Sequence, residues 1–335
     1  WRASSLLSTR IRKANARANV RRAFDLELAV RNELQGAVNK AYAISKLPVS
    51  VLGHCVGGAL VARALVSPSF DATPLDRVVL TTLGSFFRVG LENWFKGNER
   101  VLETAALHPE RFAKDWPAIS PWAATGLDEY AWPDELEELY DIWKTTPAKH
   151  ACDNAFCHRV SFMFGMPYNP NLVEAMHAIE PRDAPESLEL ALPEHGFWGQ
   201  FGDMPVGLYI EVAQSLRQGW LANVAPKAFT GLRDRLSSMQ LTLITGNENQ
   251  LWHRESIDVM YDWLQRSPRP AQPVVKHVEN GFGHQDLFWC EESARRKRMF
   301  ERFGEALDPD WKAARSKRSS LTSSGSTSSK AAPTR

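Results

Sequence analysis

Apolar positions from Arg21 to Lys46 recur at helical spacings: Phe24, Leu28, Leu34, Val38, Ala41 and Tyr42 stand mostly three, four and six apart, with charges between them. That pattern predicts a helix. Leu47-Pro48 is expected to end it, because the residue before a proline disfavours the helical region. Val49–Leu52 is a short β-branched apolar run, Gly57–Val66 an apolar helix with only Arg63 charged, and Arg77–Leu83 a second apolar run. Unbroken apolar strands alternating with helices predict a parallel sheet covered on both faces, an α/β fold.

The pattern then loses its period. Residues 86–236 are rich in tryptophan and proline, with short helical stretches and no strand alternation. Strand patterning returns at Met239–Thr245 and Pro273–Val278, around a helical stretch at Ser256–Leu264, and an amphipathic helix is predicted at Glu291–Leu307. The chain therefore divides into a first piece of sheet at 1–85, a mostly helical insertion at 86–236, the rest of the sheet at 237–307, and a basic, Ser-rich tail at 308–335. A large insertion above the carboxyl ends of parallel strands is expected to act as a lid or binding surface. The tail has too few apolar residues to offset its ordering entropy.

Composition narrows the classes. Of 335 residues, 44% are hydrophobic, and 40 Lys and Arg against 39 Asp and Glu leave a formal charge of +1, which gives no support to a nucleic-acid partner. The four cysteines form neither a disulfide framework nor a zinc hairpin, since Cys152 and Cys157 have the wrong spacing. No run reaches the ~18 apolar residues of a membrane span. The best window, Val49–Val66, is broken by His54 and Arg63. No secretory pattern follows Trp1, so the cytoplasm is the favoured compartment.

The sharpest chemical signal is Gly53-His54-Cys55-Val56-Gly57-Gly58, between a strand and a small-residue helix. It has the form of a nucleophile elbow with cysteine in place of serine. The glycines at 53 and 57 are expected to remove side chains that would collide at the turn. The start of the helix is expected to favour a thiolate at Cys55, and the Val56 N–H to donate to an oxyanion. His284 in Gly281-Phe282-Gly283-His284 follows the last strand and is the candidate base, whereas His54 is expected to face away from the thiol. After strand Met239–Thr245 come Glu248 and Asn249, either of which would orient the imidazole. A thiol is acidic enough for the amide to suffice.

With these residues the chain resembles the α/β-hydrolase-type domain at the C-terminus of cholesterol-oxidase-like glucose–methanol–choline flavin oxidoreductases. The matching segments are LPVSVLGHCVGG at Leu47–Gly58, CHRVSFMFGMPYNPNL at Cys157–Leu172, TGNENQLWHRES at Thr245–Ser256 and GFGHQDLFW at Gly281–Trp289. The resemblance implies an α/β-hydrolase fold with Cys55 at the elbow, His284 as the histidine, Glu248 and Asn249 after the strand, and the segment around Cys157 and His158 in the lid. It also implies an FAD domain preceding Trp1 in a parent protein. This chain has no G-x-G-x-x-G fingerprint, so no cofactor is expected in it.

Two functions follow as expectations. One is a Cys55-dependent acyl or ester hydrolase, or an acyltransferase, acting on an apolar, sterol-like or lipid-like substrate. The other is a non-catalytic module that packs on the flavin domain. Trp1-Arg2-Ala3-Ser4 resembles the piece after the fourth strand of the hydrolase sheet, so the chain is expected to supply only the last four strands and to lack the loop that gives the second oxyanion donor. Residues Trp1 to Val20 are then irregular, Val49–Leu52 is an edge strand despite its apolar faces, and the isolated chain expresses poorly or binds hydrophobic dye.

Overall fold

A computed structural model describes residues 26–89, 118–119, 204–266, 269–289 and 293–311. Its first helix, α1, runs through Leu26–Ala29, a π-helical turn at Val30–Leu34, and Gln35–Ser45. The helix stops one residue before Leu47-Pro48: Lys46 takes a left-handed conformation (φ 56°) and its N–H caps the Tyr42 carbonyl. Strand β1 is Val49–His54, helix α2 Val56–Val66 and strand β2 Leu75–Thr81. β2 ends before the expected Leu83 because Thr82 has φ 67°, which breaks the extended backbone.

Two short strands, β3 (Ala118–Ile119) and β4 (Met204–Pro205), pair antiparallel, and α3 (Val206–Gln218) follows. Helix α4 (Ala228–Leu236) leads into β5 (Gln240–Gly246), α5 (Glu255–Gln265) and β6 (Val274–Glu279). The chain continues with α6 (Asp286–Trp289) and α7 (Ser293–Leu307).

The main sheet has the order β1-β2-β5-β6 with every pair parallel. Among the described residues this is a four-stranded parallel sheet with helices between its strands, an α/β arrangement. The interior strands are buried on both faces, and their alternation divides the core in two. Val78, Leu80, Leu241 and Leu243 join α2, α4 and α5 in the larger cluster, with Leu65, Leu232, Leu236, Ile257 and Met260. Val79 and Ile244 point the other way, toward Phe282, Leu287 and Met299.

Helix α4 lies in the stretch assigned to the insertion, yet Phe229, Leu232 and Leu236 pack into the larger core. Ser85 and Phe87 also hydrogen-bond across to Leu221 and Gly219, so the two ends of the insertion meet beside the sheet. Residues 90–117 and 120–203 of the insertion, with Cys157 and His158, lie outside the described residues, as do Trp1–Val20, Cys290 and most of the tail.

Among the described residues β1 pairs only with β2, and its positions are mostly half-buried where those of β2 and β5 are buried. Among these residues it is an edge strand. Nearby Tyr42, Ile44 and Leu47 are exposed.

Candidate active site

The elbow forms where β1 gives way to α2. Cys55 sits between them at φ 56°, ψ −125°, a conformation that costs a residue with a Cβ about 1–3 kcal/mol and is held only by surrounding structure. That support is visible in the backbone. Cys55 N–H donates to the Thr81 carbonyl, while its own carbonyl accepts from Gly58 and Ala59. A Cβ on Gly53 would lie 2.5 Å from the Gly57 carbonyl oxygen, and one on Gly58 would lie 2.3 Å from that of Leu83. Gly57, expected to be the second sterically required glycine, has open space around it, and Gly58 carries that requirement instead. The reason is the crossing of α2 over the β2 end, which brings the third residue of its first turn, Gly58, against Leu83. Gly58→Ala is expected to destabilise the chain by ~3 kcal/mol by overpacking. Gly57→Ala should be neutral or stabilising by up to ~1 kcal/mol, as alanine is the better helix former. Urea unfolding of the two variants checks this, and equal midpoints would refute it.

The thiol is not a thiolate. Burial pushes Cys55 up to about 11, against smaller opposing effects of N–H donors from Trp252 and Val56. The helix start has the sign expected of it, but desolvation outweighs it. Sγ accepts from the Trp252 indole Nε1–H at 3.2 Å. Trp252 is itself placed by Asn249, whose Oδ1 accepts the backbone N–H groups of Leu251 and Trp252, both at 3.1 Å.

His284 comes from the far side of the sheet. β6 and β1 are its two outer strands, three inter-strand steps apart, or ~14 Å. The loop after β6 crosses that distance. It is tied to the β5 end by Glu248 N–H donating to the Phe282 carbonyl at 2.9 Å, and by Asn247 Oδ1 accepting from Gly281 N–H. Gly283 N–H donates to Asp286 Oδ2 at 2.6 Å, which starts α6. His284 ends 1% exposed, its ring centroid 4.7 Å from that of His54. Burial first, and the neighbouring His54 second, hold it well below the ordinary histidine range, so the ring is neutral at pH 7.

The expected residues thus gather at one sheet edge, but without the expected hydrogen-bond chain. Neither ring nitrogen of His284 has a partner, so no bond joins it to Cys55, Glu248 or Asn249. Glu248 is exposed. Asn249 is buried, with Oδ1 committed to backbone and Nδ2 unpaired. The His54 ring packs on His284 and Phe288, and Nδ1 lies 2.8 Å from Thr81 Oγ1. Burial lowers His54 to about 4.

Thr81 and Trp252 are the residues that sequence reasoning passed over. The register that sets His54 opposite Thr81 follows from pairing the two strand ends, and Trp252 stands three residues beyond Asn249. Among the described residues no three His, Cys, Asp or Glu side chains converge as metal ligands, and no helix is long and apolar enough to cross a membrane.

No protein family and no curated protein matches the chain. Among solved structures it is similar to a homoserine O-acetyltransferase from Bacillus anthracis, at 12% identity and TM-score 0.42, over 86% of this chain and 67% of that one. It is also similar to an esterase from Exiguobacterium antarcticum, at 15% and 0.36 over 86% and 76%. A thermostable carboxyl esterase from Bacillus coagulans stands at 14% and 0.42 over 82% and 69%. These likenesses are too distant to transfer an activity or a substrate, and nothing in them points to a flavin oxidoreductase.

Proposed function

We propose that the chain is an acyl-transfer enzyme of α/β-hydrolase type, an ester hydrolase or acyltransferase that uses Cys55 as nucleophile and His284 as base. The observation that supports this most is the strained cysteine at the strand-to-helix turn, with a buried neutral histidine brought to its neighbour from the opposite side of the sheet. Because Cys55 rests as a thiol, its proton leaves during attack. Sulfur bonds to the ester carbonyl carbon as the S–H proton passes to His284. The tetrahedral oxyanion takes the Val56 N–H, the C–O bond breaks, and His284 returns the proton to the departing alkoxide. Water, or a second alcohol, then gives its proton to His284 as its oxygen attacks the thioester carbonyl; the C–S bond breaks, and His284 returns the proton to the Cys55 sulfur. An apolar acyl or sterol-like group is the proposed substrate, with the Trp-rich insertion as its cover.

The test is mass spectrometry of the full chain after a pulse of p-nitrophenyl butyrate or a longer-chain ester. An acyl adduct on Cys55 is expected, with a burst of nitrophenol. An intact fold with no adduct at Cys55, from esters or from a thiol-directed probe, would refute the proposal. A second reading is favoured by the missing Cys55–His284 bond: a catalytically silent module supporting a flavin domain in a parent protein. Under that reading Cys55→Ala changes neither ester turnover nor sterol oxidation by the parent.

A further inference from the structure

The Cys55 sulfur has a side-chain partner that is itself firmly held. Trp252 is 6% exposed, and its indole Nε1–H donates to Sγ at 3.2 Å. Three anchors fix the indole. Asn249 Oδ1 accepts the Trp252 backbone N–H at 3.1 Å, the following N–H of His253 donates to the Arg88 carbonyl at 2.8 Å, and Phe87 meets the ring edge-on at 5.6 Å. Asn249 lies just past β5, and Phe87 and Arg88 lie just past β2, so two neighbouring strand ends aim one N–H at the sulfur. A donor held in this way costs no reorganisation when charge appears on its acceptor.

A protonated sulfur is a weak acceptor, and hydrogen bonds to an ionised group are roughly twice as strong as neutral ones. The bond from Trp252 therefore strengthens as the S–H proton leaves, and again when the thioester C–S bond breaks and its electron pair returns to sulfur. An interaction that is stronger at those moments than at rest accelerates both steps. The Val56 N–H, the other donor beside the sulfur, is the one committed to the oxyanion. We propose that Trp252 is a catalytic residue, the donor that carries the charge on the Cys55 sulfur at both ends of the acyl transfer, and that Asn249 is its positioning residue. The inference deepens the acyl-transfer reading and rests on it for its catalytic meaning. It gives Asn249 a part in the site through the backbone of Leu251 and Trp252.

Alkylation by iodoacetamide tests the arrangement without an ester: sulfur displaces iodide, the thiol proton goes to solvent, and mass spectrometry follows the adduct at Cys55 in the folded full chain from pH 7 to 10. Trp252→Phe removes the donor and keeps an aromatic ring. Losing a bond to a charged group should lower the thiolate fraction by about tenfold. The more basic sulfur attacks somewhat faster, so alkylation should be roughly threefold to fivefold slower across this range. A purely packing role predicts the reverse, because the smaller ring opens the site. Replacing Trp252 alone with 3-benzothienylalanine, which has sulfur in place of the indole N–H, should give the same slowing with the bicyclic shape retained. Asn249→Ala should slow alkylation in the same sense. In ester turnover, Trp252→Phe should lower kcat with KM nearly unchanged. Wild-type or faster alkylation in the folded benzothienyl chain overturns the proposal, and so does a folded wild-type Cys55 that stays unalkylated up to pH 10. Wild-type rates in Asn249→Ala overturn the positioning role. If no ester acylates Cys55, the acyl-transfer reading fails, while the alkylation rates still decide whether Trp252 carries charge on the sulfur.

Discussion

Cys55→Ala is expected to reduce ester turnover by about a thousandfold or more, and His284→Ala by a similar factor, because the two act as one unit. The double variant should be no worse than either single one. What remains is stabilisation of the oxyanion by Val56 N–H and binding of the substrate, neither of which needs the thiol. Cys55→Ser should also be severely impaired. A hydroxyl is far less acidic than a thiol, and no carboxylate is bonded to His284 to stabilise the imidazolium that forms as it takes the proton. The strain at Cys55 is the same for alanine and serine, so folding should be preserved in both. The measurement is kcat and KM on p-nitrophenyl esters, with circular dichroism and thermal unfolding as controls. A folded Cys55→Ala that retains a tenth of wild-type turnover would remove the thiol from the mechanism.

The nucleophile was legible because its signal is local. A strand, a G-x-C-x-G turn and a small-residue helix occupy consecutive positions, and sterics at Gly53 and the φ of Cys55 follow from them. The four strands were legible for a related reason: runs such as Val78–Leu80 and Leu243–Ile244 are apolar at successive positions, as burial on both faces requires. The partners of the catalytic groups were not, because each depends on a long-range crossing. His54 was placed away from the thiol by strand alternation, but His284 arrives from the opposite edge of the sheet over the ends of β5 and β2 and meets His54 there. The role of Asn249 changed for a similar reason. Its carbonyl oxygen is consumed in turning the backbone at Leu251 and Trp252, which sends the indole to Sγ. The protonation of Cys55 was misjudged because a sequence shows the sign of a helix end but not the depth of burial around it.

A stability optimum bounded on both sides by this site is the second large effect. Burial holds His54 at about 4 and His284 well below 6.5 in the folded chain, against 6.5 when unfolded. Between pH 6.5 and 4 the unfolded chain binds protons that the native chain does not, so stability rises with pH there. The contribution is complete above pH 6.5 and is lost as pH falls toward 4, by ~3 kcal/mol for His54 alone. Cys55 acts with the opposite sign at the other limit. Its folded value of about 11 lies above the unfolded 9.0, so the unfolded thiol loses its proton first and stability falls as pH rises from 9 to 11, by another ~3 kcal/mol. His277, lowered by burial and by Arg302, adds to the acid limb, and Glu27, held down by hydrogen bonds from Ser67, Ser69 and Arg63 despite its burial, loses stability as it protonates at still lower pH. Differences between variants separate these from the site. Urea midpoints measured from pH 4 to 11 should show the acid limb flattened in His54→Phe and the alkaline limb flattened in Cys55→Ala, each variant leaving the other limb in place. If both variants track the wild type across the whole range, neither group is buried in its neutral form in the folded chain, and proton transfer at this site starts from ions instead.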